Sequence, residues 1–236
     1  MKEMGLFGCL IAPEYGGLGL STTTYAKIIE RMSAVWMSIS GIINSHLIMA
    51  MAVQRSGTPA QKDAYLPRFA TGELRGGIGL TEPDAGTDLQ AAGALITATL
   101  MAGGLQRLLA MTVQYANDRA QFGKAIGKFQ AVQQQLAVLA EQAFAARMAA
   151  ELATAETGVM PPRLRAAVAK ARAAEAAEKA VAIAHAVHGA IGVTAEFDLQ
   201  LVTRRLQEGR GDFGSAGYWH GELGRALLAA DEPTVP

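Results

Sequence analysis

Arg119-Ala-Gln-Phe-Gly-Lys-Ala-Ile-Gly-Lys-Phe-Gln130 joins two long segments in which apolar residues recur at helical spacing. A connection this short turns the chain back on itself, so the second half reads as an antiparallel helical bundle. The connection also carries more chemistry than a turn needs. Lys124 and Arg119 can meet an anion, Gly123 and Gly127 permit tight backbone paths, and Phe122 and Phe129 can cover an aromatic ring. The plainer reading, in which both phenylalanines pack inward, is the commoner fate of loop aromatics.

On the near side, Ile96, Leu100, Leu108, Met111 and Tyr115 fall on one broad side of a helix from about Leu89 to Asp118. Gly103-Gly104 either weakens the middle of that helix or allows close packing. On the far side, Leu136, Ala140, Phe144, Met148 and Leu152 repeat every four residues, the mark of an amphipathic helix to about Thr157. An alanine-rich helix follows Pro162 and runs to about His188, with Arg and Lys expected on its exposed face and Gly189 as its cap. Two shorter helices, roughly 195–208 and 215–229, complete the pattern.

Upstream, residues 5–20 are punctuated by glycine and proline, and Ser21 stands as N-cap to a helix carrying Tyr25, Ile28, Ile29 and Met32 on one face. Ala34 to Val53 bears no charge except at His46 and is long enough to cross a bilayer. Ser38, Ser40, Asn44 and Ser45 interrupt it, so it reads as a buried core helix, apolar all round, with His46 as a hydrogen-bonded core histidine. Thr58-Pro59-Ala60-Gln61 has the cap, the first-turn proline and the glutamine of a capping box. The predicted fold class is all-α: an N-terminal helical region over 1–88 packed with a C-terminal antiparallel helical bundle over 89–236.

Composition excludes several classes. Half of the 236 residues are hydrophobic and 18% are charged, which describes an ordered, core-rich protein. Lys plus Arg equals Asp plus Glu at 21 each, so nothing favours nucleic acid or a membrane surface as partner. Cys9 stands alone and the start lacks a signal-peptide pattern, which fits a reducing, cytoplasmic setting. Gly76-Gly-Ile-Gly-Leu-Thr-Glu-Pro-Asp-Ala-Gly-Thr-Asp88 is a ligand-loop candidate: glycines let backbone amides approach closely, and Thr81 and Thr87 offer donors and acceptors. It has no lysine to serve as a phosphate-binding P-loop.

Gly79-Leu-Thr-Glu-Pro-Asp-Ala-Gly-Thr-Asp88 resembles the flavin- and substrate-contacting loop of acyl-CoA dehydrogenases. The 119–130 stretch resembles that family's second signature. Ala12-Pro-Glu-Tyr-Gly-Gly-Leu-Gly19, Leu66-Pro-Arg-Phe-Ala-Thr-Gly-Glu73 and His188-Gly-Ala-Ile-Gly-Val-Thr194 match further family motifs in the family's order. The resemblance implies FAD as cofactor and an acyl-CoA thioester as substrate. A carboxylate would take a proton next to the thioester while hydride leaves the next carbon. It implies Leu80 and Thr81 against the flavin ring, Arg119 on the pyrophosphate and Phe122 over the adenine side. Gln121, Ile126, Phe129 and Gln130 would line the same groove, Arg107 would lie near coenzyme A, and Thr87 at the substrate entrance. In relatives that groove receives a neighbouring subunit's cofactor, so a homo-oligomer, or a hetero-oligomer with a related subunit, is implied. Electron-transfer flavoprotein is the implied electron acceptor.

The departures from the family pattern are as informative. The β-rich middle domain that should separate the Thr-Glu-Pro loop from the next helix is absent. Ungapped alignment from the glycine motif puts Phe213 where most relatives have the glutamate base. The alternative base position, before Arg107, is occupied by Gln106, which cannot take a proton. Asp212 is the nearest carboxylate and the candidate catalytic base, weighed against a helix-end or solvent-exposed aspartate. Three readings follow: a flavin-dependent dehydrogenase, a non-catalytic partner subunit, or a shortened relative that keeps only the fold.

Overall fold

Seven α-helices, four short 3-10 helices and one small hairpin, with the turns between them, make up the described residues (1–77, 87–155 and 163–229, without the side chains of 87–89) of the computed structural model. Helix α1, Thr22–Ser56, begins where the Ser21 hydroxyl accepts from the Thr24 amide at 3.2 Å. Trp36 has non-helical backbone angles (φ −153°, ψ 98°), which kink α1 and change the phase of its faces. The expected all-round burial over 34–53 fails there. Val35, Trp36 and Ile42 are 80%, 59% and 60% exposed, while Ile43, Leu47 and Ile48 stay in the core.

Helix α2, Pro59–Ala70, has the full capping box: the Gln61 amide donates to Thr58 Oγ1 at 3.3 Å and the Thr58 amide to Gln61 Oε1 at 2.8 Å. Thr58→Ala is expected to cost about 1 kcal/mol, read as a lower urea midpoint with unchanged m-value. Leu66, Phe69 and Ala70 of α2 pack with Ile11 and Ala50, tying the N-terminal turns to α1. His46 sits edge-on to Phe7 and Phe69. Its Nδ1 accepts from the Gly76 amide at 3.4 Å, so Nε2 carries the proton donated to the Phe69 carbonyl at 3.2 Å. Burial pushes its pKa down, and the histidine is the bonded core residue the sequence suggests.

Helix α3, Thr87–Asp118, is central. The hairpin strands β1 (Ala120–Gln121) and β2 (Lys124–Ala125) turn the chain into α4, Gln130–Thr154, followed by α5, Arg163–His188. Helices α6, Leu199–Gly211, and α7, Ala216–Ala229, end the described chain. α3 packs against α1, α4, α5 and α6, and α5 against α3, α4, α6 and α7. A Cβ at Gly103 would collide with the Glu30 carbonyl of α1, so Gly103 serves close packing. α1 and the Gln90–Asp118 part of α3 are each long and apolar enough to cross a membrane, but α3 is enclosed by four helices.

Two expectations about faces are corrected. Phe144, Met148 and Leu152 of the four-residue repeat in α4 are more than half exposed; Leu139, Ala143, Ala146, Ala150 and Ala153 face the core instead. Alanines let neighbouring backbones approach, whereas the larger row is left without a partner among the described residues. On α5, Lys170 is fully buried, not on a solvated face. Four helices surround α5, so its alanines are buried on most sides and leave little exposed surface.

Candidate functional site

The 119–130 connection forms a two-residue hairpin turn. Phe122 (φ 53°) and Gly123 (φ 79°) both take left-handed angles, the geometry of a turn matched to strand twist. For Phe122 that conformation costs about 1–2 kcal/mol. Its ring is 91% exposed, so the inward-packing reading fails for this residue. Phe129 is half-buried, edge-on to Phe122 with centroids 6.2 Å apart, and Lys124 Nζ lies 4.3 Å from its ring centre. Arg119, Gln121 and Gln130 are exposed, Ile126 is half-buried, and Arg119 has no ion pair among the described residues. An unpaired guanidinium beside a bare aromatic face and two carboxamides fits the diphosphate and base of a nucleotide. Leu80 and Thr81 lie outside the described residues, as does the side chain of Thr87, so the ring end of the expected cofactor site is not described.

A cleft of about 440 Å³ opens between α1, α3 and α6. Met37, Ile42, Ile48, Leu100 and Phe213 give it apolar walls; Asp212, Arg205 and Glu208 line it from α6 and the turn that follows. Arg205 bridges the two sides, donating to Ser38 Oγ at 3.0 Å and to Glu208 at 2.6 Å. Asp212 caps the C-terminus of α6 and is exposed. Its carboxyl is nonetheless raised above the usual range, first by lost hydration and then by Glu208, while Lys170 and Arg205 pull it down.

The turn after α6 is held from three sides. Lys170 Nζ of α5 donates to the carbonyls of Arg210 at 3.0 Å and Gly214 at 2.9 Å. Trp219 Nε1 of α7 donates to the Phe213 carbonyl at 3.1 Å, and the Gly214 amide to the Gly211 carbonyl at 3.2 Å. The Phe213 ring lies where a Cβ at Gly93 of α3 would be. Phe213 itself has φ 55°.

Not every expected residue reaches this cleft. Gln106 and Arg107 do not line it; they stand 13 and 14 residues beyond Gly93, about 20 Å along α3. Gln106 Nε2 is buried without a partner among the described residues, and Arg107 is exposed. The α3 residues at the cleft are Thr97 and Leu100, with Gly93 under Phe213. The hairpin lies farther still, about 37 Å from Gly93 along the same helix. The nucleotide-end residues and Asp212 therefore do not meet within one chain. Lys170, Trp219 and Gly93 carry no motif that marks them; a lysine within an alanine run was the one available sign.

Comparison with known proteins identifies the family. The family model of the acyl-CoA dehydrogenase N-terminal domain matches residues 1–73, and that of the acyl-CoA dehydrogenase C-terminal domain matches residues 90–217. The chain belongs to the acyl-CoA dehydrogenase family. No middle domain is covered between the two matches, so the family's helical parts are joined directly. The chain is 39% identical over 90 residues to the mitochondrial very long-chain specific acyl-CoA dehydrogenase of Rattus norvegicus, covering 38% of this chain and 14% of that protein. It is 38% identical over 101 residues to acryloyl-CoA reductase (NADH) of Anaerotignum propionicum, covering 43% of this chain and 25% of that one. The matched stretches thus span a quarter or less of these relatives. The fold superposes on a glutaryl-coenzyme A dehydrogenase in complex with glutaryl-CoA at TM-score 0.87 and 22% identity, covering all of this chain and 87% of that one.

Proposed function

We propose that this chain is an acyl-CoA dehydrogenase-like flavoprotein that binds FAD and removes hydrogen from the α and β carbons of an acyl-CoA thioester. The observation that carries this reading is the apolar cleft with Asp212 at its edge, in a chain of this family. FAD, when bound, supplies the hydride acceptor. Arg119 would hold the diphosphate, Phe122 would cover the adenine, and Gln121, Ile126, Phe129 and Gln130 would complete that surface; Leu80 and Thr81 would meet the ring by family resemblance. The Met37, Ile48 and Leu100 side chains exclude water from the acyl group. Asp212 takes the proton at its carboxylate, and its raised proton affinity moves it towards the range a base needs near neutral pH.

The separation of hairpin and cleft along α3 supports an oligomer in which the hairpin of one copy serves the cleft of another. Electron-transfer flavoprotein is the proposed acceptor of the electrons. The same separation favours a second reading, a partner subunit whose hairpin completes the site of a related chain; Phe213 at the glutamate position points the same way.

A thermal shift with FAD tests the cofactor. At 100 times its Kd, FAD stabilises by about 2.7 kcal/mol, which for a chain of this size raises Tm by roughly 5–10 °C. Arg119→Ala is expected to weaken FAD about 10- to 100-fold, the contribution of a charged hydrogen bond. A chain whose Tm ignores saturating FAD sinks the flavoprotein reading.

A further inference from the structure

We propose that Lys170 is a positioning residue of the cleft, clamping both ends of the turn that presents Asp212 and setting the charge felt by that carboxylate. The proposal rests on the reading of Asp212 as the working carboxylate.

The bonding of the turn carries the inference. Lys170 is fully buried on α5, and its ammonium bonds the Arg210 carbonyl on one side of Asp212 and the Gly214 carbonyl on the other. Arg210 lies in the last turn of α6, whose carbonyls have no partner within the helix and carry the negative end of its dipole, so a buried cation is well placed there. With Gly211 and Phe213 carbonyls taken by the Gly214 amide and Trp219, four backbone acceptors around Asp212 are pinned. The left-handed Phe213 needs such over-determination, because an L-residue leaves that region when unconstrained. The Asp212 side chain lies at the cleft and has no hydrogen bond or ion pair among the described residues.

Lys170 also acts on Asp212 through charge, without a direct ion pair among the described residues. The other charges acting on Asp212 are Glu208 and Arg205 of α6. Lys170 in turn feels Asp212 and Arg210, and Arg210 is paired with Glu178 of α5 at 2.6 Å. α7 faces the turn with the neutral Trp219 indole and α3 with Gly93. Burial lowers the Lys170 pKa to about 8, so the ammonium is present through neutral pH and lost above it.

The test is a carbon-detected NMR titration of Asp212 in the full chain and in Lys170→Met and Lys170→Arg, with circular dichroism to follow the fold. In Lys170→Met the Asp212 midpoint should rise by about one pH unit, a tenfold gain in proton affinity, while Lys170→Arg keeps the parent value. Coupling is reciprocal, so Asp212→Asn should lower the Lys170 midpoint, read from the amine's own titration. That variant changes an exposed residue and covers the case in which Lys170→Met does not fold. An unmoved Asp212 midpoint in folded Lys170→Met, or an unmoved Lys170 midpoint in Asp212→Asn, overturns the proposal. Intact coupling with undiminished dehydrogenation by Asp212→Asn would instead remove Asp212 as base and leave the clamp standing.

Discussion

In an Asp212→Asn background, Phe213→Glu is expected to speed reduction of bound flavin by an acyl-CoA thioester about 10²- to 10⁴-fold, the range a positioned general base contributes. Family resemblance assigns the glutamate position to Phe213, and its side chain lines the cleft beside Met37 and Leu100. Gly93 leaves open the space the ring now fills, so a glutamate fits there without moving α3. The backbone is held independently of the ring, by Trp219 and Lys170, so the left-handed turn survives the change. Loss of the half-buried ring costs about 1–3 kcal/mol of stability, small against the kinetic gain. Single-turnover bleaching of the flavin band after mixing with thioester measures the effect. Phe213→Gln in the same background removes the same ring and supplies no base; if it is as fast as Phe213→Glu, the new carboxylate is not the source of the gain.

Caps and periods were legible because they are local. Ser21, the Thr58–Gln61 box and Gly189 mark helix ends by hydrogen bonds or backbone angles that involve neighbours a few residues away. The 119–130 connection was legible as a turn and as a ligand surface, and the exposure of Phe122 favours the second. Faces were less legible. The row Phe144, Met148, Leu152 announces an apolar face but cannot say whether its partner lies in the same chain. Burial of Lys170 depends on helices α6 and α7 closing over α5 from 40 residues away, which no local pattern encodes. The cleft was illegible for the same reason: Ile48, Leu100 and Asp212 come from three separated helices. Family motifs named Asp212 as a candidate, while the residues that hold it in place carry no motif.

Trp219→Ala should lower stability by about 3–5 kcal/mol, the usual cost of truncating a fully buried tryptophan. For a chain of this length that is a fall in Tm on the order of 10 °C. Trp219 is the buried residue of α7, so this side chain is the main anchor of that helix on the bundle. Its ring packs under Arg163, whose guanidinium carbon is 5.3 Å from the ring centre, and edge-on to Tyr218 at 5.0 Å. Its Nε1 satisfies the Phe213 carbonyl, so the alanine variant both opens a cavity and leaves an acceptor without its donor. Trp219→Phe separates the two losses: it retains most of the packing and gives up the hydrogen bond, for about 1 kcal/mol. If Trp219→Ala falls no further than Trp219→Phe, packing of the indole is not what anchors α7. The phenylalanine variant has a second use, because it releases one of the bonds that pin the Asp212 turn. A measurable loss of flavin reduction in a variant only about 1 kcal/mol less stable would locate the tryptophan's role in the turn and not in the stability of the bundle.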